Sequence, residues 1–348
     1  MLSNTSNRIA MIDWFKAIGI FLIVFGHLDG NFTNTLTTPV LLKQLGVVFF
    51  IFIMGWQLAQ ETRSRKVVLF NRLFKICFWG ISFALVLSLI KFVFIRDINK
   101  SNYLPFFFGI NVVLNYFPAN PTTWFIGTYF HLLLLWAFVL KKISVTKRII
   151  FLSIILEIVA RGILMNYGFL RAYMLFFNWQ TVFLIGIFFG QGVKKTHKEK
   201  NHLAQSILIY AGFIIVWAVG SKLFTFFKIF PFDVVLNSDG ERMLFVTSFL
   251  ISFVYIGHAL LFFNVARRLP NNKIIEFFSR NTLIIFIVHM PVWYFIAPYM
   301  ANLIPWHPLR LIADLGILFV GIGIFSFVLE KIIPWKKCKI IIQSRLIG

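Results

Sequence analysis

Apolar residues in this chain gather into long runs, and polar residues fall between them. The runs lie near 9–28, 39–58, 73–95, 124–140 and 149–165, then near 179–193, 206–227, 244–264, 281–300 and 311–333. Each is on the order of twenty residues, the length an α-helix needs to cross a bilayer's hydrocarbon core. The pattern predicts an all-α, polytopic membrane protein with about ten transmembrane helices. The fourth, fifth and sixth runs are short, which predicts less tilt or flanking re-entrant pieces. The polar interval 96–123 is the longest and holds Tyr103, Pro105, Tyr116, Pro118 and Pro121. It reads as an ordered lid or a re-entrant piece, because long loops of this kind tend to be functional or disordered.

Composition agrees with the pattern. Of 348 residues, 59% are hydrophobic and only 13% charged. A soluble chain is nearer half apolar and a quarter charged, so an ordinary soluble enzyme, a disordered protein and a disulfide scaffold are excluded. The net charge of +22 would raise nucleic acid as a partner in a soluble protein. Here the Lys and Arg residues sit in short clusters between apolar runs, without a separate basic stripe, so nucleic acid is set aside. The clusters alternate. Arg63, Arg65, Lys66 and Arg72 fill one connection, then Lys141, Lys142, Lys147 and Arg148, then Lys194, Lys195, Lys198 and Lys200, then Arg267, Arg268, Lys273 and Arg280. The intervening connections hold few, and 29–38 holds none. By the positive-inside rule both termini are expected in the cytoplasm, in a cytoplasmic (inner) membrane.

The first run carries Asp13 and Lys16 and lacks a small-residue cleavage pattern, so it is expected to be retained rather than removed as a signal peptide. No period of 20–50 residues is visible, which argues against a solenoid. One membrane-embedded domain over 1–348 is expected, with a core near 8–333 and a short basic cytoplasmic tail at 334–348. Cys77 and Cys338 form neither a disulfide framework nor a metal spacing, and no metal is expected.

Ionisable groups inside apolar runs are costly, so each is a candidate site. Asp13 and Lys16 are three residues apart and share a helix face. His27 lies eleven residues beyond Lys16, about 16 Å along a helix. An imidazole can take and return a proton near neutral pH, although an interfacial histidine without chemistry is an equal reading. His289 precedes Pro291 inside the ninth run, where a freed carbonyl is expected. His131 lies two turns into the fourth run. Glu157 and Arg161, at i and i+4, form either an intrahelical bridge or part of a polar cavity. Asp314 reads as an interfacial cap near Arg310. Arg72 and Lys75 share a helix face at the basic side, a pairing that suits phosphate as well as topology signalling.

Four segments, in order, resemble the acyltransferase-3 family of integral membrane acyltransferases, and most nearly its fucose 4-O-acetylase and surface-polysaccharide O-acetyltransferase branch. They are Asp13-Trp-Phe-Lys16 through Gly26-His27, Asn71-Arg72-Leu-Phe-Lys75, Thr123-Trp124-Phe-Ile, and Ser279-Arg280-Asn281-Thr282 through His289-Met290-Pro291-Val292. Two positions depart from the family's pattern: Ala17 stands where Gly is usual, and Lys75 replaces a second Arg, which removes a bidentate fork. The resemblance implies a cytoplasmic acyl-CoA donor, acetyl-CoA foremost, and a glycan or glycolipid acceptor. By position it implies His27 as base, Arg72 and Lys75 on the donor's phosphates, and Lys16, Trp124 and His289 lining the active cavity. Asp13 joins His27 and Lys16 as a catalytic candidate, and His131, Glu157 and Arg161 join the binding candidates. A one-step transfer predicts a continuous polar cavity from Arg72 to His27; packed apolar residues between them would instead favour an acyl intermediate that moves between sites. The alternatives are a transporter or flippase for a polar lipid-linked sugar, or the same fold using a succinyl donor or an amino-sugar acceptor.

Overall fold

The computed structural model describes residues 10–28, 42–96, 124–192, 203–212 and 241–346. Every regular element among them is helical, and none is a strand. In chain order they are α1 (Ala10–His27), α2 (Leu42–Ala59), α3 (Arg65–Ile95), α4 (Trp124–Phe138), α5 (Lys147–Asn166), α6 (Phe169–Met174) and α7 (Gln180–Gln191). There follow α8 (Leu203–Gly212), α9 (Glu241–Ala266), α10 (Lys273–Leu303) and α11 (His307–Leu315). A π-helical stretch, Gly316–Gly321, joins α11 to α12 (Ile322–Ile332), and α13 (Trp335–Leu346) ends the described chain.

The protein is an all-α polytopic membrane protein. Six of its helical segments are long and apolar enough to span a bilayer, and four described apolar helices are shorter. Every predicted run except the seventh falls on a described helix. The seventh lies mostly outside the described residues, as does the proposed lid at 97–123.

Two helices overrun their apolar segments. α3 and α10 each have 31 residues, because a side-chain cap starts each one early. Ser64 Oγ accepts from the Val67 amide at 3.4 Å, and Asn272 Oδ1 accepts from Ile274 and Ile275 at 2.8 and 3.2 Å. Such caps satisfy amides that an N-terminus leaves orphaned. As a result Arg72, Lys75 and Arg280 lie on rigid helices rather than in loops. The basic tail is itself helical, as α13.

α2 occupies the centre, between α1 and α7. Without a hydrophobic driving force between helices in lipid, close approach relies on small residues. A Cβ on Gly186 would run into the Phe52 carbonyl, and one on Gly55 into the Phe183 carbonyl. Phe15, Phe49 and Phe52, all fully buried, fill the α1–α2 seam. Phe15 stacks on Phe52 at 5.3 Å and meets Phe49 edge-on at 5.2 Å.

Between α5 and α7 the chain breaks into α6 and a single 3₁₀ turn, Phe176–Asn178. Irregular backbone at membrane depth must be satisfied by protein, and Glu157 and Arg161 of α5 do this. Arg161 Nη2 donates to Glu157 Oε1 at 2.5 Å, and its Nη1 to the Ser248 carbonyl at 2.6 Å and Ser252 Oγ at 2.9 Å. Its Nε reaches Asn178 Oδ1. Glu157 Oε2 accepts from the Thr181 amide at 3.0 Å, capping α7 from a neighbouring helix. Both side chains are fully buried, at 0% exposure.

Candidate functional site

A cavity of about 900 Å³ opens at the basic end of the bundle. α1 contributes Asp13 and Lys16, α3 contributes Arg72 and Lys75, and α10 contributes Ser279 and Arg280. Glu330, Lys331, Trp335 and Lys336 of the last two helices complete that side. Among the described residues, six cationic side chains and two carboxylates line the cavity. That excess suits a ligand with several negative charges, such as a phosphate ester.

The cations are held in place. Arg72 Nη1 donates to the Tyr129 hydroxyl at 3.4 Å. Lys75 Nζ pairs with Glu330 Oε1 at 2.6 Å and lies 5.2 Å from the centre of the Trp335 ring. Arg280 pairs with Glu276. Asp13 Oδ1 accepts from Ser279 Oγ at 2.6 Å, which ties α1 to α10 at the cavity's depth.

Toward the other end, His27 and His289 meet. His289 Nε2 lies 3.2 Å from His27 Nδ1. His289 Nδ1 lies 3.0 and 2.9 Å from the carbonyls of Ile285 and Phe286. Carbonyls only accept, so that nitrogen carries the proton. His289 Nε2 is then an acceptor, and His27 Nδ1 must donate to it. The lone pair of His27 is thereby assigned to Nε2. His289 is fully buried and His27 half-buried, so the basic nitrogen belongs to the more accessible ring. Gly26 lets α2 approach here. A Cβ on it would meet the Lys43 amide at 2.6 Å, so Lys43 starts beside His27.

Neither histidine lines the cavity. Its far end is closed by the rings of Phe50, Phe125 and Phe286. Phe125 and Phe286 are 5.6 Å apart, and Phe286 is 6.2 Å from the His289 ring. Phe286 and His289 are three residues apart, about one turn or 4.5 Å of helix. The continuous polar cavity expected from the sequence is therefore not open here, because an aromatic layer interrupts it.

The remaining sequence candidates lie elsewhere. Trp124 is buried among Tyr173 and Trp179, at 4.9 and 6.1 Å, one residue before Phe125 of the cavity wall. His131 faces Phe176 at 5.7 Å. Glu157 and Arg161 sit in the closed network beneath the α5–α7 break. Thus Asp13, Lys16, Arg72 and Lys75 share one cavity and His27 and His289 form a pair beyond it, while Trp124, His131, Glu157 and Arg161 join neither.

Tyr129, Glu330 and Trp335 are not candidates on the sequence alone, and Lys336 reads there only as one of the tail's basic residues. Glu330 had a visible signal, an acid at the end of an apolar run and beside Lys331. Tyr129 and Trp335 had none, since their partners are distant in sequence. No group of three or more His, Cys, Asp or Glu side chains is placed to hold a metal among the described residues.

A polyanion cavity at one end of a helical membrane bundle, with a histidine pair one turn past it, is an arrangement suited to group transfer within the bilayer. The family model for the acyltransferase domain, acyltransferase-3, matches residues 9–331, and the chain belongs to that family. It is thus a multi-pass membrane acyltransferase. Neither a curated protein nor a solved structure matches the chain.

Proposed function

We propose that this acyltransferase moves an acyl group, acetyl foremost, from cytoplasmic acyl-CoA to a hydroxyl of a cell-surface glycan or lipid-linked sugar. The carrying observation is the stacking of the basic cavity directly beneath the His27–His289 pair. On this reading the cavity faces the cytoplasm of an inner, cytoplasmic membrane, as the Lys and Arg clusters suggest. The donor's phosphates lie against Arg72, Lys75 and Arg280. Its pantetheine arm points up the cavity toward Phe286.

Transfer in one step requires the Phe286 ring to swing aside. The thioester then reaches His27. His27 Nε2 takes the acceptor's hydroxyl proton as the oxygen attacks the thioester carbon. Cations or backbone N–H groups hold the oxyanion, and Lys43 of α2, which starts beside His27, is the nearest ammonium candidate. The C–S bond breaks, and the proton on His27 passes to the departing thiolate. Atoms balance as an O-acyl ester and free CoA. His289 holds the His27 ring in the reactive tautomer.

The test supplies radiolabelled acetyl-CoA to membrane vesicles carrying wild type or His27→Ala. Label entering the glycan fraction only with wild type, at equal expression, supports the reading. Wild type that neither consumes nor binds acetyl-CoA removes it.

A further inference from the structure

The cavity wall extends past the family-matched region. Trp335 and Lys336 lie on α13, beyond residue 331 where the match ends, yet both line the cavity. Trp335 is buried, at 8% exposure, and its indole Nε1–H has no hydrogen-bond partner among the described residues. Buried donors are rarely left unpaired, and an orphan beside a cavity calls for a ligand acceptor. The Trp335 ring also lies near two ammonium groups, Lys75 at 5.2 Å and Lys336 at 5.9 Å from its centre. Lys336 is exposed, so its charge can pivot toward a ligand.

We infer that Trp335 and Lys336 form a second phosphate subsite, which completes on the tail helix the donor site that Arg72 and Lys75 begin on α3. The inference rests on the donor reading of this cavity. Its chemistry is specific. An acyl-CoA carries a diphosphate and a separate ribose phosphate, so two cationic subsites on different helices match one nucleotide. The indole N–H donates to a phosphate oxygen, and Lys336 supplies charge. Lys75 has no guanidinium fork to fix its geometry. The Trp335 face on one side and the Glu330 carboxylate at 2.6 Å on the other fix it instead.

The test measures equilibrium binding of radiolabelled coenzyme A to the full-length chain in nanodiscs of neutral phospholipid. Trp335→Phe keeps the ring and removes the N–H, and Lys336→Ala removes an exposed charge. Each is expected to weaken binding about tenfold, the effect of one charge-assisted hydrogen bond. Lys337→Ala removes the same charge from the next residue, which is exposed and does not line the cavity. It is expected to change binding by less than about twofold. Should Trp335→Phe fail to fold, the Lys336 and Lys337 comparison decides alone. Wild-type affinity in the Trp335 and Lys336 variants overturns the subsite, as does an equal loss with Lys337→Ala. A wild-type chain that binds no coenzyme A overturns the donor reading, and the subsite with it.

Discussion

His289 carries no exposed nitrogen, yet it decides which nitrogen of His27 is basic. Two backbone carbonyls fix its proton on Nδ1, and the 3.2 Å contact passes that choice to His27. Replacing His27 with Ala removes the proposed base and should lower kcat by about a hundredfold or more. Replacing His289 with Ala leaves the base but frees its ring, so kcat should fall by up to about a hundredfold with the donor's KM unchanged. Steady-state kinetics separate these roles, and an unchanged kcat in His289→Ala would refute the tautomer argument. Arg161 is expected to behave differently. Its five donors are spent on Glu157, Asn178, Ser248 and Ser252 inside the fold. Arg161→Ala leaves the Glu157 carboxylate buried without its counter-charge, held only by the Thr181 amide and the Ser252 hydroxyl, a loss of about 3–5 kcal/mol. Thermal unfolding in detergent should show that loss, and any folded remainder should keep wild-type affinity for the donor.

Helices were the most legible level, because the bilayer demands long apolar runs and internally satisfied backbone. The ends of those helices were less legible. Ser64 and Asn272 start α3 and α10 well inside polar sequence, and hydropathy does not register a cap. α13 falls in what hydropathy shows only as a basic tail, because WKKCKIII carries no apolar run long enough to span. The pairing of His27 with His289, across 262 positions, could not be seen from spacing, although both residues stood out as polar groups in lipid. Glu157 and Arg161 stood out for the same reason, and their i, i+4 bridge is present. Their further bonds to α9 and to the α7 N-terminus depend on packing that no local pattern encodes. Helix packing yields its own prediction at the α2–α7 crossing. Gly186→Val forces two backbones apart and should cost about 1–3 kcal/mol, read as a lower unfolding temperature; an unaffected chain would contradict the close approach.

At the scale of the molecule, charge collects in the cavity at the basic end, and a histidine pair lies behind an aromatic layer. Under the proposed function the first holds the donor's phosphates and the second transfers the proton. From Ser279 to His289 is ten residues of α10, about 15 Å, a span the proposed donor's arm has to bridge. Phe286 is the last ring in the way. Phe286→Ala should admit bulkier acyl donors, with a raised kcat/KM for longer acyl-CoA relative to acetyl-CoA; an unaltered preference would mean the ring does not gate. The most direct test is a structure of the full chain in nanodiscs with a non-hydrolysable acetyl-CoA analogue. The account predicts phosphates between Arg72, Lys75 and Lys336, a displaced Phe286 ring, and the acyl carbon beside His27 Nε2. An analogue bound elsewhere, or one whose acyl end stops below an unmoved Phe286, would contradict it.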